Sequence, residues 1–380
     1  MTIVIGGGIA GCYITLKLVE RSESSEKIIL YEQNELLSGN PYVHLHRFGI
    51  LYPELTLEEE NEFIEDGQLF LEEFGDCVIK KPTVVIYRRP YSPQDLVKKC
   101  QRISEKIDEK GETFYQIYEK DDINFEKKRL KKGDKCLKCC CSDMVSLHDQ
   151  YVNEMLKHFN LDYLTFPFVS CFEYLIDQKK VREKILSRIL GNSNIEIRYE
   201  KFNFSKLEED CKEIGIEEGI YNQQIYDCTN NGPKKEHKGL FKFELTSLDL
   251  MKFPEIALIG KRGSEKPLIQ ITPINNQLYI HILNNKATLI EENLDNGWRL
   301  FNFFGKNSTR EDFVKNEVSK ILPIFEKATF QEFYHGYQSF VDEKRTSSIL
   351  EIGNKENKIK KVILVKAFSI SGLFKRNLEK

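Results

Sequence analysis

No apolar run in these 380 residues approaches the roughly 20 needed to span a bilayer, so no membrane-spanning helix is expected. Charge of one sign is not in excess either. The 56 basic and 59 acidic side chains leave a formal charge of −3, which gives no reason to invoke nucleic acid or an anionic membrane surface. No leader precedes the first apolar strand, and the ending Asn377-Leu378-Glu379-Lys380 is not a Ser-Lys-Leu address, so a cytoplasmic location is expected. There is no internal repeat and no disulfide framework. The ten cysteines are scattered apart from Cys136, Cys139, Cys140 and Cys141, and a disulfide-framed secreted domain would be smaller. Cys136-x-x-Cys139 has the spacing of a zinc half-site, but the second pair is missing, and three consecutive cysteines do not converge easily on one tetrahedral ion. No metal is expected.

What is present is concentrated at the start. Thr2-Ile3-Val4-Ile5 is an apolar β-branched run that ends in Gly6-x-Gly8-x-x-Gly11, followed at once by a helix-like segment from Cys12 to Glu20. A second short strand, Lys27 to Tyr31, ends at Glu32. In a βαβ unit these parts have separate tasks. Gly6 permits the tight turn, Gly8 lets backbone amides approach a pyrophosphate, and Gly11 lets helix pack on strand. The first helical turn, with Ile9 and Ala10, offers free N–H groups and partial positive charge to the phosphates. Glu32 accepts from ribose hydroxyls and repels a 2′-phosphate. Together these features predict a dinucleotide site.

The rest of the chain is long enough for two domains, or for one discontinuous pair. A Gly- and Pro-punctuated loop runs from Ser38-Gly39 to Tyr52-Pro53 and holds His44, His46 and Arg47 close together. A helix is expected over Thr56 to Phe74 and a strand over Thr83 to Tyr87. Residues 98–143 are dominated by Lys, Glu and Asp and read as a solvated charged insertion, part helix and part loop. An apolar strand from Phe168, a helix from Lys179 to Leu190 and a strand from Ile195 to Tyr199 follow. Gln224 to Gly232 reads as a short strand entering a polar turn. Phe241 to Leu248, Glu255 to Ile259, Leu268 to Thr272 and Gln277 to Leu283 are separated by turn residues, the pattern of an antiparallel sheet. Thr309 is placed to cap a helix that Pro323 ends, and Lys361 to Val365 reads as a last strand.

The Gly-Gly-Gly-Ile-Ala-Gly start resembles the FAD-binding oxidoreductases of the glutathione-reductase structural class. In order, the pieces resemble the D-amino-acid-oxidase superfamily within it: the βαβ unit with Glu32, the Ser38-Gly39 loop with its Gly49-Ile50-x-Tyr52-Pro53 strand, Glu173-x-x-Ile176-Asp177 with the helix after it, and Tyr226 to Gly232. The resemblance implies an α/β fold in which a discontinuous Rossmann-like FAD-binding domain (1–75, 168–237 and 336–380) joins an antiparallel-sheet substrate domain (76–97, 144–167 and 238–335). It also implies FAD as cofactor, contacted by Gly6, Gly8, Ile9, Ala10, Gly11, Glu32, Gln33, Ser38, Gly39, Arg47, Thr229 and Gly372. Three departures stand out: Thr15 replaces a small residue, Cys228-Thr229-Asn230 replaces Ala-Thr-Gly, and the C-terminal Gly-rich loop is reduced to Ser369-Ile370-Ser371-Gly372.

Such proteins oxidise a C–N or C–O bond of a small polar, amino- or hydroxy-acid-like substrate by hydride transfer to flavin N5. Arg262 is a candidate for gripping a substrate carboxylate, against the plainer reading of a surface cation in a hairpin turn. His44 and His46 are candidate general bases, one of them also a possible flavin attachment point, although loop histidines often only bond backbone. His281 shares a strand face with Tyr279 and Leu283 and faces either flavin or solvent. Tyr337 and Lys366 are weaker candidates, chosen because the C-terminal segment returns to the flavin in similar proteins. Two other readings compete. Flavin monooxygenases share the glycine start, but their Gly-Asp motif is absent from Asn293 to Gly305. A non-catalytic binding protein of the Rab-escort kind would tolerate the three departures.

Overall fold

The computed structural model describes residues 2–21, 27–38, 44–107, 114–121, 147–202, 224–229, 234–261, 264–283, 290–291, 309–340, 348–350 and 362–364. The chain opens with β1 (Thr2–Ile5), α1 (Ile9–Arg21) and β2 (Ile28–Tyr31). Then come α2 (Leu57–Phe74), β3 (Val78–Ile79), β4 (Thr83–Tyr87), α3 (Pro93–Lys106) and β5 (Tyr115–Tyr118). α4 (Leu147–His158), β6 (Phe168–Cys171), β7 (Leu175–Ile176), α5 (Gln178–Leu190), β8 (Ile195–Arg198) and β9 (Gln224–Asp227) follow. The remainder is β10 (Lys234–Glu244), β11 (Glu255–Ile259), β12 (Ile269–Ile274), β13 (Gln277–Ile282) and β14 (Ile290–Glu291). It ends with α6 (Arg310–Ile321), β15 (Thr329–Phe340), β16 (Ser348–Leu350) and β17 (Val362–Leu364).

Six strands form one sheet in the order β16-β17-β9-β1-β2-β8, parallel throughout except at the β16–β17 edge. Distant segments therefore converge on β1, which is what a discontinuous Rossmann-like domain requires. Val4, Ile28 and Leu30 meet Ile14 and Leu16 of α1 and Val181 and Ile185 of α5 in one apolar core. α2 adds Phe70 and Phe74 to that core. It starts where expected because Thr56 and Glu59 close a reciprocal capping box that satisfies two otherwise orphaned amides.

Nine strands form the second sheet, in the order β14-β10-β13-β12-β11-β4-β6-β5 with β15 also on β10. It is antiparallel except for the parallel β4–β11 pair, so the expected all-antiparallel pattern holds only for part of it. Ile256, Leu258, Ile271, Leu278 and Ile280 pack on one face with Val314 and Val318 of α6 and Met155 of α4. On the other face Val85, Tyr87, Ala257 and Ile259 meet α3 and the Phe48–Leu51 loop. β11 is buried along its length because both faces are covered.

The expected boundaries shift in three places. Phe168–Cys171 belongs to the second sheet, through β4 and β5. β10 and β15 pair continuously from Lys234 with Phe340 to Glu244 with Thr329, so the substrate-side sheet takes in residues on both sides of the predicted borders. The charged segment 98–143 is not wholly solvated: its first residues complete α3, whose Leu96, Cys100 and Ile103 are buried, and Tyr115–Tyr118 adds a strand. Apolar positions spaced four and three apart make a core-facing stripe even between lysines. Among the described residues no helix is long and apolar enough to cross a membrane.

Candidate active site

The glycine loop is built by contacts that permit no side chain, save at one position. Gly6 has a φ of 98°, and a Cβ there would lie 3.0 Å from the Cys228 carbonyl. A Cβ on Gly11 would sit 1.8 Å from the Gly6 oxygen, so the helix start and strand end touch backbone to backbone. At Gly8 a Cβ would meet nothing within 4 Å. The space lies where α1 begins, and the first turn of α1 carries no acidic residue to compete for an anion. Glu32 stands beside it with its carboxylate fixed: Oε2 accepts from the Gly7 N–H (2.6 Å) and Oε1 from the Asn34 N–H (2.8 Å). These features fit the diphosphate and ribose of a dinucleotide.

Two of the departures from the family pattern resolve locally. Thr15 is fully buried, and its hydroxyl donates to the Gly11 carbonyl four residues back (2.7 Å), so the extra polar group is satisfied inside the helix. Cys228 keeps the strand-end contact, its N–H bonding the Ile5 carbonyl at 2.8 Å. The Thr229 amide and hydroxyl both donate to Asp227 (2.9 and 2.6 Å).

Leu37 lies against the cradle, its N–H bonding the Gly7 carbonyl, and His44 lies against the second sheet. There the loop is held by buried charge. Glu173, fully buried, accepts from the amides of Phe48 (2.9 Å) and Ile50 (2.6 Å). Burial raises its pKa above the usual carboxylate range, against the pull of His44, those two amides and Lys99. The Lys99 ammonium donates to the carbonyls of Gly49 and Tyr52 (2.9 and 2.8 Å), and the Tyr87 hydroxyl to that of Ile50 (2.8 Å). Arg47 is buried with its guanidinium 4.4 Å from the Phe48 ring centre and 5.1 Å from that of Tyr174.

Gly67 in α2 makes that position possible, since a Cβ there would lie 2.7 Å from Arg47 Cγ and 2.8 Å from its carbonyl oxygen. Helix propensity alone favours alanine over glycine by about 1 kcal/mol. Gly67→Ala is nevertheless expected to destabilise, by about 1–3 kcal/mol, because the contact is with backbone that cannot swing away. Urea denaturation reads this directly, and a gain in stability would contradict the packing.

Burial pushes the Lys99 ammonium down to about 8, with Glu60 and Glu173 opposing the fall. A lysine whose folded value lies below its unfolded one leaves the folded chain with fewer protons across that interval, so stability rises with pH there. Wild type should therefore gain on Lys99→Met by up to about 3 kcal/mol between pH ~8 and ~10.5. Parallel denaturation curves at several pH values measure the difference, and a constant gap would contradict the buried charge.

His44 Nε2 lies 2.6 Å from Glu255 Oε2, and its Nδ1 accepts from the His46 N–H at 3.2 Å. His46 has a φ of 54°, and its ring centre lies 4.3 Å from that of His44 and 5.2 Å from that of Tyr52. Glu255, at the start of β11, is fully buried and also accepts from Thr83, Gln270 and Thr272 at 2.6–2.9 Å. Burial works to raise its pKa, but His44 and the hydroxyl donors outweigh it and leave the carboxyl below its ordinary value.

Gln270 and Thr272 stand opposite His281 and Tyr279 in the sheet. Tyr279 and His281 thus occupy the half-buried face that carries Glu255, while Leu278, Ile280 and Ile282 point to the opposite core. The structure therefore brings His44, His46 and the His281 face to one side of the second sheet. Gln33 and Ser38 are exposed beyond β2, and Thr229 is half-buried at the end of β9. Tyr337 lies in β15 with its backbone opposite His237. Gly39, Arg262, Lys366, Gly372 and the Cys136–Cys141 run lie outside the described residues. Among the described residues no group of His, Cys, Asp and Glu could hold a metal, and Cys12, Cys77, Cys100, Cys171 and Cys228 are free and buried.

Glu255, Thr83, Gln270, Thr272, Lys99 and Gly67 were not singled out from sequence. A strand-initial glutamate reads as solvent-facing, and only Thr83, Gln270 and Thr272, in otherwise apolar strands, hint at a buried polar partner.

No protein-family model matches the chain, and no curated protein matches it. Solved structures do. Glycine oxidase from Geobacillus kaustophilus aligns with a TM-score of 0.57 over 98% of this chain and 90% of that one, at 10% identity. A thermally stable mutant of fructosyl peptide oxidase gives 0.59 over 99% and 88%, also at 10% identity. Glycerol-3-phosphate dehydrogenase from Bacillus halodurans, solved in complex with FAD, gives 0.54 over 100% of this chain and 62% of that one, at 12% identity. The chain has the fold of the D-amino-acid-oxidase-like FAD oxidoreductases.

Proposed function

We propose that this protein is an FAD-dependent oxidoreductase acting on a C–N or C–O bond of a small amino- or hydroxy-acid-like substrate. The observation that carries the reading is the glycine cradle: Gly6 and Gly11 are closed by backbone contact while the space over Gly8 is open at a helix start. The amides of Gly8, Ile9, Ala10 and Gly11 hold the diphosphate, and Glu32 holds the ribose. Gln33, Ser38, Gly39, Arg47, Thr229 and Gly372 complete the cofactor's surroundings. When bound, FAD supplies the two-electron acceptor for the substrate hydrogen.

This chain's residues orient the substrate and take its proton. His44 has both ring nitrogens committed, to Glu255 and to the His46 amide, so His46 is the base of the pair. Arg262 grips a substrate carboxylate, with His281 and Tyr337 at the periphery. The solved relatives, named for glycine, fructosyl peptides and glycerol-3-phosphate, support a small polar substrate.

Purified protein carrying a flavin spectrum, mixed anaerobically with a panel of amino and hydroxy acids, tests the reading. Bleaching by one of them is expected. Bleaching by NADPH alone would favour the monooxygenase reading, and a folded protein that takes up no FAD would favour a binding protein.

A further inference from the structure

The Glu255 carboxylate is unusual in how completely it is occupied. Oε1 accepts from Gln270 Nε2 (2.9 Å) and Thr272 Oγ1 (2.6 Å), and Oε2 faces Thr83 Oγ1 (2.7 Å) and His44 Nε2 (2.6 Å). A carboxylate has about four lone-pair sites, and four neighbours from two strands and the loop fill them. Burial works to lower the pKa of His44, the one titratable group among the four, but Glu255 and Glu173 outweigh it and raise it. A carboxylate only accepts, so Nε2 carries a hydrogen, and Nδ1 is bare because it accepts. Nδ1 in turn faces an N–H, that of His46. The other tautomer would set a bare nitrogen against a carboxylate and an N–H against an N–H, breaking both contacts at once.

The second contact acts on backbone. His46 sits in the left-handed region, which residues other than glycine hold only where their surroundings over-determine it. The bond from its amide to the ring two residues earlier supplies that restraint, and the 4.3 Å approach of the two rings makes them a unit. Glu173 is the other carboxylate that acts on His44, and Lys81 the cation that acts on Glu255.

We propose that Glu255 is a positioning residue: it fixes His44 as the Nε2–H tautomer, and His44 thereby holds His46 in the conformation from which it takes the substrate proton. The proton step rests on the flavin-enzyme reading; the tautomer and the backbone restraint do not. The second sheet thus sets the protonation pattern of the loop that carries His44 and His46.

Two-bond 1H–15N correlation of the imidazoles in 15N-labelled full-length protein tests this, with His44 assigned by the loss of its signals in His44→Asn. The expected pattern is a protonated Nε2 and a bare Nδ1 at neutral pH, with the Nε2 proton far downfield and slow to exchange. In Glu255→Gln that proton should move upfield. With a substrate in hand, kcat should fall about tenfold or more with KM little changed and the pH profile displaced, and Glu255→Asp should restore part of it. A His44 that carries its proton on Nδ1, or that averages both tautomers, overturns the proposal. So does a Glu255→Gln variant with unchanged His44 signals and an unchanged pH profile. If Glu255→Gln does not fold, the wild-type spectrum alone decides. A protein that shows the expected pattern yet takes up no FAD removes the flavin reading and the proton step, and leaves the restraint standing.

Discussion

Gly8→Val should leave the melting temperature of the apoprotein unchanged and weaken FAD binding by about 100-fold or more, a loss of roughly 2.7 kcal/mol. The expectation follows from what a side chain meets. Gly8 is not in the left-handed region, and a Cβ there touches nothing within 4 Å, so the folded chain tolerates it. The added methyls then fill the space in front of the helix start, where a diphosphate must come within hydrogen-bond distance of backbone amides. Gly11→Ala is the contrasting case. Its Cβ would lie 1.8 Å from the Gly6 oxygen, and backbone cannot rotate out of the way. That change should cost about 1–3 kcal/mol or more of stability as well as FAD binding. Calorimetric titration with FAD and thermal melts of both variants separate the roles. Equal melting temperatures for the two variants, or undiminished FAD binding by Gly8→Val, would mean that the loop is only a tight turn.

Glu173→Ala should destabilise the protein by about 2–6 kcal/mol. Two buried amides, of Phe48 and Ile50, lose their acceptor together, and each unsatisfied donor costs about 1–3 kcal/mol. Glu173→Gln should cost less, because its amide oxygen still accepts from one of the two. The location of this carboxylate explains the size of the effect. It joins the start of the β7 segment to the loop carrying His44, His46 and Arg47, across more than a hundred residues of sequence. Urea denaturation of wild type and both variants checks the ranking. A Glu173→Ala loss below about 1 kcal/mol would show that water satisfies those amides.

How much of this was legible beforehand depended on the range of the interaction. The βαβ unit and Glu32 were readable because their logic is local: strand, glycines, helix and acid follow within about thirty residues. The capped helix starting after Thr309 was readable for the same reason, and Thr309 and Asp312 do form a capping box. The second sheet was readable strand by strand, but its pairing was not. The parallel β4–β11 contact joins residues about 170 positions apart, and periodicity carries no information about partners. α3 was hidden for another reason. Its lysines and glutamine dilute the apolar count, while Leu96, Cys100 and Ile103 still form one buried stripe. The buried ions were the least legible. Glu255, Glu173 and Lys99 look like surface charges until their partners, which arrive from distant strands and loops, are placed around them.

The central claim is that the open space over Gly8, between the closed Gly6 and Gly11 contacts, is an FAD site. Its most direct measurement is the stoichiometry and affinity of FAD binding to the purified full-length chain, with circular dichroism on the same sample. One FAD per folded chain, lost in Gly8→Val, is the predicted result. A folded chain that binds no FAD at saturating concentration would contradict it.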